Sequence, residues 1–356
     1  MTPRFHPLTI DDVRPECEDA VSVRFRVPDA LRHDYAFTQG QHVALRARVD
    51  GEELRRSYSI CAAPEDGELR VAIRVVPGGR FSGWAARSLQ AGMTLDVLTP
   101  DGRFFTPLDP AHRKHYVAFA AGSGITPILS LVGATLKREP HSRFTLVYGN
   151  RTVASTMFLE ALEDLKDRHL GRFVLHTVFS REHQDIDLCN GRLDAAKVRA
   201  FAERLIPPSS IDEAFVCGPG AMIDEVEGAL LGLGMPPERV HVERFGVPVE
   251  SIAPAPVAVA DTPAATLIVE LDGIRRTVPF ARSDVSVLDA ALRAGLDLPY
   301  SCKGGMCCTC RGKVLEGEVR MTKNYSLDAA DVAAGFVLTC QARPLTERVV
   351  VSYDER

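Results

Sequence analysis

The chain has 356 residues, 46% hydrophobic and 25% charged, the composition of an ordinary globular protein of two or three domains. A net charge of −5 argues against nucleic acid or an anionic membrane as partner, and no apolar stretch approaches the ~20 residues that span a bilayer. The N-terminus (MTPRFHPLTIDD) lacks the layout of a signal peptide, so the expected location is cytoplasmic, where thiols stay reduced.

Residues 1–110 read as β-rich. Val21, Val23, Phe25 and Val27 alternate with polar neighbours, as do Leu69, Val71, Ile73 and Val75, and the pairs Asp50-Gly51, Asp66-Gly67, Gly78-Gly79 and Asp101-Gly102 punctuate the runs. Such spacing predicts a barrel or sandwich. Within it, Arg56-Ser57-Tyr58-Ser59 supplies an aromatic ring that can stack on a flavin and a guanidinium that can pair with its phosphate. Gly79 and Ser82, in GGRFS, open a helix-like stretch whose N-terminal amides suit the same phosphates. Taken alone, RSYS is a common string that more often serves a structural role.

From Tyr116 the pattern changes to apolar strands alternating with helices: YVAFA (116–120), ILSLVGATLK, FTLVY (144–148), MFLEALEDLKD, FVLHTVF (173–179), then AFVC (214–217) and a helix after Gly218. This predicts βαβ units and a parallel sheet over 111–246. The turn Gly122-Ser123-Gly124-Ile125-Thr126-Pro127 lets backbone N–H groups approach a dinucleotide pyrophosphate, with Pro127 where a third glycine would stand. Cys217-Gly218-Pro219 lies at a strand's carboxyl end, where open α/β sheets bind ligands. Arg181, with Arg151 in YGNR, offers guanidinium groups to a phosphate.

Residues 247–264, rich in Pro and Ala, read as a linker. Beyond it, TLIVELDGIRRTVPF reads as a hairpin about Asp272-Gly273 and SVLDAALRAG as a short helix stopped by Gly295. The spacing Cys302-x4-Cys307-x2-Cys310 with distant Cys340 is the plant-type [2Fe–2S] pattern. Zinc and unliganded thiols are the alternatives, but structural zinc favours two close ligand pairs, and here the fourth cysteine stands alone. Cys308 breaks the spacing and reads as a packing residue.

On these motifs residues 1–246 resemble the ferredoxin–NADP reductase superfamily, and residues 265–356, through SCKGGMCCTC and VLTCQ, resemble a plant-type ferredoxin domain. The resemblance implies three modules: an antiparallel β-barrel flavin domain (1–110), an α/β Rossmann-like nucleotide domain (111–246) and an α+β β-grasp ferredoxin domain (265–356). It assigns Arg56, Ser57, Tyr58, Ser59, Gly79 and Ser82 to flavin, FAD rather than FMN. Gly122, Gly124, Thr126, Pro127 and Gly218 fall to the nucleotide, and Cys217 to the neighbourhood of the nicotinamide reactive carbon. Ser180 and Arg181, assisted by Arg151, are assigned to a 2′-phosphate, which favours NADPH over NADH. Glu243 is expected to polarise the nicotinamide pocket and Phe245 to lie near the flavin. The domain order occurs in reductase components of multicomponent oxygenases, so the implied activity is electron transfer from nicotinamide through flavin and cluster to an oxygenase. Competing readings are a reductase for another di-iron or Rieske oxygenase, a redox-sensing regulator, and a binding module with dead cofactor sites.

Overall fold

A computed structural model describes residues 3–246 and 265–355, so the linker expected at 247–264 lies outside the described residues. The chain divides into two compact units: Pro7–Leu54 with Tyr58–Phe245, and the described part of Gly246–Arg356, grouped with Arg55–Ser57 and the N-terminal residues up to His6.

In the first unit, strands β1 (Phe5–Cys17), β2 (Ala20–Arg26), β3 (His42–Val49), β4 (Glu52–Ser59), β5 (Leu69–Arg74) and β6 (Thr94–Leu98) form a barrel sheet of order β4-β3-β6-β1-β2-β5. The pairs β1–β2, β2–β5 and β3–β6 are antiparallel. Alternation along β2 and β5 puts Val23, Val71 and Ile73 inward, fully buried with Leu8, Val43 and Val97. Helix α1 (Arg80–Ser88) seals one end with Phe81 and Ala85. At the β3–β4 hairpin Asp50 and Gly51 both take positive φ, 51° and 81°, the conformation an Asp-Gly tight turn supplies.

The nucleotide half is a wholly parallel sheet of β7 (His115–Ala121), β8 (Arg143–Asn150), β9 (Phe173–Phe179), β10 (Glu213–Gly218) and β11 (Val240–Arg244), ordered β11-β10-β7-β8-β9. Helices α2 (Ile125–Arg138), α3 (Leu159–Arg168), α4 (Ala195–Arg204) and α5 (Gly220–Gly232) cover it. One face packs Tyr116, Ala118 and Phe215 with α2; the other packs Val117, Phe119 and Val216 with α4 and α5. Burial on both faces explains why these strands read as continuous apolar runs. The core of α2 extends into the barrel through Ala20, Cys61, Ala72 and Phe104. There Ser130 Oγ donates to the Ala62 carbonyl at 2.7 Å.

The second unit holds strands β12 (Ala265–Leu271), β13 (Ile274–Phe280), β14 (Arg311–Glu316), β15 (Val319–Met321), β16 (Phe336–Leu338), β17 (Ala342–Pro344) and β18 (Arg348–Ser352). The main sheet runs β13-β12-β18-β14-β16, with β15 and β17 paired apart. Helix α6 (Val287–Arg293), capped by Ser286 Oγ accepting from the Asp289 N–H, packs Val287, Leu288 and Ala291 into the core; α7 (Ala329–Ala333) is a single short turn. Among the described residues no helix is long and apolar enough to cross a membrane.

Candidate functional site

Strand β4 delivers the Arg-Ser-Tyr-Ser motif at its end. The Tyr58 ring lies 5.8 Å from Phe81 of α1, which in turn meets Trp84 edge-on at 5.6 Å, so an aromatic wall orients it. Arg56 is exposed and donates to the Arg55 carbonyl at 2.8 Å. Ser57 Oγ is buried with no partner among the described residues, a hydroxyl whose desolvation goes uncompensated until something polar meets it. At the second motif, a Cβ on Gly79 would stand 2.6 Å from Ser82 Oγ and 2.9 Å from the Val76 carbonyl, so only glycine fits. Ser82 Oγ accepts from the Val76 N–H at 3.1 Å and locks the turn. No side chain caps α1, leaving its first-turn amides for an anion. The uncapped helix and the oriented ring fit a flavin nucleotide.

The nucleotide turn follows β7. Gly122 is left-handed at φ +56°. A Cβ on Gly124 would lie 2.1 Å from the Cys217 carbonyl oxygen, so this glycine brings the turn into backbone contact with the end of β10. Thr126 Oγ1 donates to the Ser123 carbonyl at 3.0 Å, and Pro127 occupies the first turn of α2, where its missing N–H leaves no bond unmade.

The loops after β8 and β9 are joined: the Ser180 and Arg181 N–H groups donate to the Asn150 and Arg151 carbonyls at 3.0 and 2.9 Å. Arg181 is exposed, and its guanidinium has no partner among the described residues. Arg151 is engaged instead, pairing with Asp19 at 2.8 Å. Asp19 also holds Arg74 at 3.0 Å, and Arg74 donates to the Ser155 carbonyl at 3.1 Å. Arg74 faces the nucleotide turn, its Nη1 3.2 Å from where a Gly122 Cβ would be. Sequence reasoning passed over Arg74 and Asp19, because a charged residue at a strand end or hairpin carries no signal until the chain is folded.

In the parallel β10–β11 register Cys217 stands opposite Glu243. Cys217 is fully buried, and desolvation, followed by the Glu243 carboxyl, pushes its thiol well up. Desolvation also lifts Glu243 to about 8, against which Ser59 Oγ donates to Oε2 at 3.1 Å. A neutral thiol, a carboxyl that keeps its proton near neutral pH and the last serine of the flavin motif thus meet in one place. Phe245, just beyond, packs partly buried against the α2 core.

In the second unit all five clustered cysteines are free thiols. Cys302 is held below the ordinary thiol range chiefly by a hydrogen bond from Cys307, and then by the Gly304, Met306 and Cys307 amides. Cys340 is lowered in the same way by Cys310, with help from the Gln341 side chain and the Gly305 amide. The four thiols therefore form two pairs, 302 with 307 and 310 with 340. Among the described residues no three His, Cys, Asp or Glu side chains are arranged to hold a single metal ion. Four thiols ringed by amide donors would suit a dinuclear iron–sulfur cluster better than one tetrahedral zinc. Lys303, Gly305 and Cys308 take positive φ of 50°, 81° and 53°, which turns the loop around the site. Cys308 is buried and its Sγ donates to the Ser326 carbonyl at 3.6 Å, as suits a packing residue.

Family models match in the same order: an oxidoreductase FAD-binding domain over residues 7–105, an oxidoreductase NAD-binding domain over 119–228, and a 2Fe-2S iron-sulfur cluster binding domain over 269–345. The chain is 48% identical, across 99% of its length and 98% of the relative's, to a subunit of the 1,2-phenylacetyl-CoA epoxidase of Escherichia coli. The chain belongs to the ferredoxin–NADP reductase superfamily. This reductase is an NAD(P)H-dependent flavin and iron–sulfur oxidoreductase that transfers electrons through FAD and a [2Fe–2S] cluster. It is also 37% identical to the ferredoxin reductase component of 3-ketosteroid-9-alpha-monooxygenase of Rhodococcus rhodochrous, over 97% of this chain and 96% of that one. Among solved structures, phthalate dioxygenase reductase shares the fold with a TM-score of 0.57 at 22% identity, covering 98% of each chain.

Proposed function

We propose that this reductase passes electrons from NADPH to the oxygenase component of a phenylacetyl-CoA epoxidase. The observation that carries this reading is the 48% identity to the Escherichia coli epoxidase subunit over nearly the whole of both chains. A bound flavin takes two electrons as hydride and hands them on singly, which a [2Fe–2S] cluster can carry. Arg56, Ser57, Tyr58, Ser59, Gly79 and Ser82 hold the flavin, and Gly122, Gly124, Thr126, Pro127 and Gly218 seat the nucleotide pyrophosphate against free amides. Arg181 takes the 2′-phosphate; a guanidinium with no partner among the described residues supports it, whereas Arg151, engaged by Asp19, contributes less. Cys217 packs beside the nicotinamide, and Glu243, whose proton desolvation helps it to keep, polarises that pocket. Cys302, Cys307, Cys310 and Cys340 bind the two irons. The three modules keep the boundaries 1–110, 111–246 and 265–356, in the cytoplasm.

The test is reconstitution with purified oxygenase components, NADPH and oxygen. Epoxide formed from phenylacetyl-CoA in step with NADPH consumed supports the assignment. Coupling to a ketosteroid oxygenase instead would favour the second reading, which the 37% relative supports.

A further inference from the structure

Gln341 follows the fourth cysteine and is buried, 9% exposed. A buried primary amide carries two N–H donors and a carbonyl, all of which need partners. Here Oε1 accepts from Thr322 Oγ1 at 2.8 Å, while Nε2 donates to the Lys303 carbonyl at 2.9 Å and to Cys340 Sγ at 3.6 Å. The orientation is fixed chemically. Turning the amide over would set its oxygen against the Lys303 carbonyl, which can only accept. Thr322 is anchored in turn, its N–H donating to the Gln341 carbonyl at 3.0 Å.

The side chain therefore ties three parts of the unit together: the loop carrying Cys302 and Cys307, the segment after β15, and Cys340 itself. The loop is further held there by the Tyr325 N–H, which donates to the Gly305 carbonyl at 3.0 Å. A backbone amide beside a sulfur follows from the path of the chain and comes with any residue. A side-chain amide delivered to sulfur by its own pair of hydrogen bonds is a property of this residue.

We infer that Gln341 is a positioning residue that sets the reduction potential of the cluster by donating an N–H to the Cys340 sulfur, with Thr322 holding it in place. The inference rests on the reading that Cys302, Cys307, Cys310 and Cys340 bind a [2Fe–2S] cluster. One-electron reduction adds negative charge that the thiolate sulfurs share, so a donor at sulfur is gripped more strongly in the reduced state and raises the potential. Methionine has about the same length and no donor. Gln341→Met should lower the potential, shifting the electron-partition equilibrium about tenfold toward the oxidised cluster, about 59 mV for one electron. Thr322→Val leaves the amide present but unanchored and should shift it in the same direction by roughly threefold.

The experiment is an anaerobic redox titration of the full-length holoprotein, followed by visible absorbance and EPR, with iron and sulfide assayed in every sample. Cluster-bearing variants with potentials lowered most in the Met variant and less in the Val variant are the expected result. A Met variant with full iron and a potential within about twofold of the parent in equilibrium terms would overturn the role of Gln341. Should the Met variant lose its iron, Thr322→Val carries the test, and an unshifted potential there overturns the inference. Parent protein lacking stoichiometric iron and sulfide would instead defeat the cluster assignment itself, so the two failures are distinguishable.

Discussion

Gly124→Ala probes the close approach between the two loops proposed to receive the nucleotide. Its Cβ would stand 2.1 Å from the oxygen and 2.4 Å from the carbon of the Cys217 carbonyl, and 2.8 Å from the Gly218 nitrogen. Ordinary non-bonded contact begins near about 3.5 Å, so the loops must part by about 1 Å. Every clashing atom is backbone, and no side chain can swing away. Overpacking of this kind costs about 1–3 kcal/mol of stability. The larger effect falls on hydride transfer, because a misplacement of about 1 Å can cost about 10²-fold in rate. The assay is stopped-flow reduction of bound flavin by NADPH without oxygen. The variant should retain flavin and reduce it about a hundredfold more slowly. Gly228→Ala is the control: it lies on α5 with nothing within 4 Å of its Cβ. It should leave the rate alone and add about 0.5–1 kcal/mol of stability. A Gly124→Ala protein reducing its flavin within about threefold of the parent would refute the reasoning.

Cys307→Ser should abolish the EPR signal of the reduced cluster and lower bound iron, while flavin absorbance and flavin reduction by NADPH persist; intact iron and EPR would sink the ligand assignment. Arg181→Ala should raise KM for NADPH about tenfold to a hundredfold, equivalent to about 1.5–3 kcal/mol, with little change for NADH, and an equal response of both nucleotides would exclude a 2′-phosphate role. Glu243, pushed up to about 8 from an ordinary 4.5, binds its proton more tightly in the folded protein. Stability should therefore be fullest below the ordinary value and fall as pH rises toward about 8, by up to about 1.4 kcal/mol per pH unit. Denaturant melts across that window should show the slope in the parent and its loss in Glu243→Gln.

How much of this was legible in the sequence depended on how far each signal reached along the chain. The strands of the parallel sheet were plain because burial on both faces leaves unbroken apolar runs such as YVAFA and FVLHTVF. The hairpin turn at Asp272-Gly273 was plain because its positive φ values of 53° and 72° demand that dipeptide. The cysteine spacing is read within nine residues, apart from Cys340. Strand β1 was not legible: its pairing with β2 shifts register between Ile10 and Asp12 and again between Pro15 and Cys17, and each shift breaks the period of two. The short edge strand β11 carries too few residues to show a period, although it bears Glu243. Strand order and the Arg74–Asp19–Arg151 cluster were out of reach, because both depend on partners far apart in the chain.

The order of the second sheet bears on how the protein is made. Strand β18 is the last of these strands to leave the ribosome, yet it sits at the centre of the sheet, parallel to β12 on one side and antiparallel to β14 on the other. Its Val349, Val350 and Val351 are almost wholly buried. The nucleotide sheet grows outward as synthesis proceeds, since β10 and then β11 each join an existing edge. The second sheet has no such option and must wait for β18 before a core exists around the four thiols. Iron can enter a finished site only after that strand has been translated. A premature stop just before β18 would deprive the cell of the cluster while leaving all four cysteines in the chain.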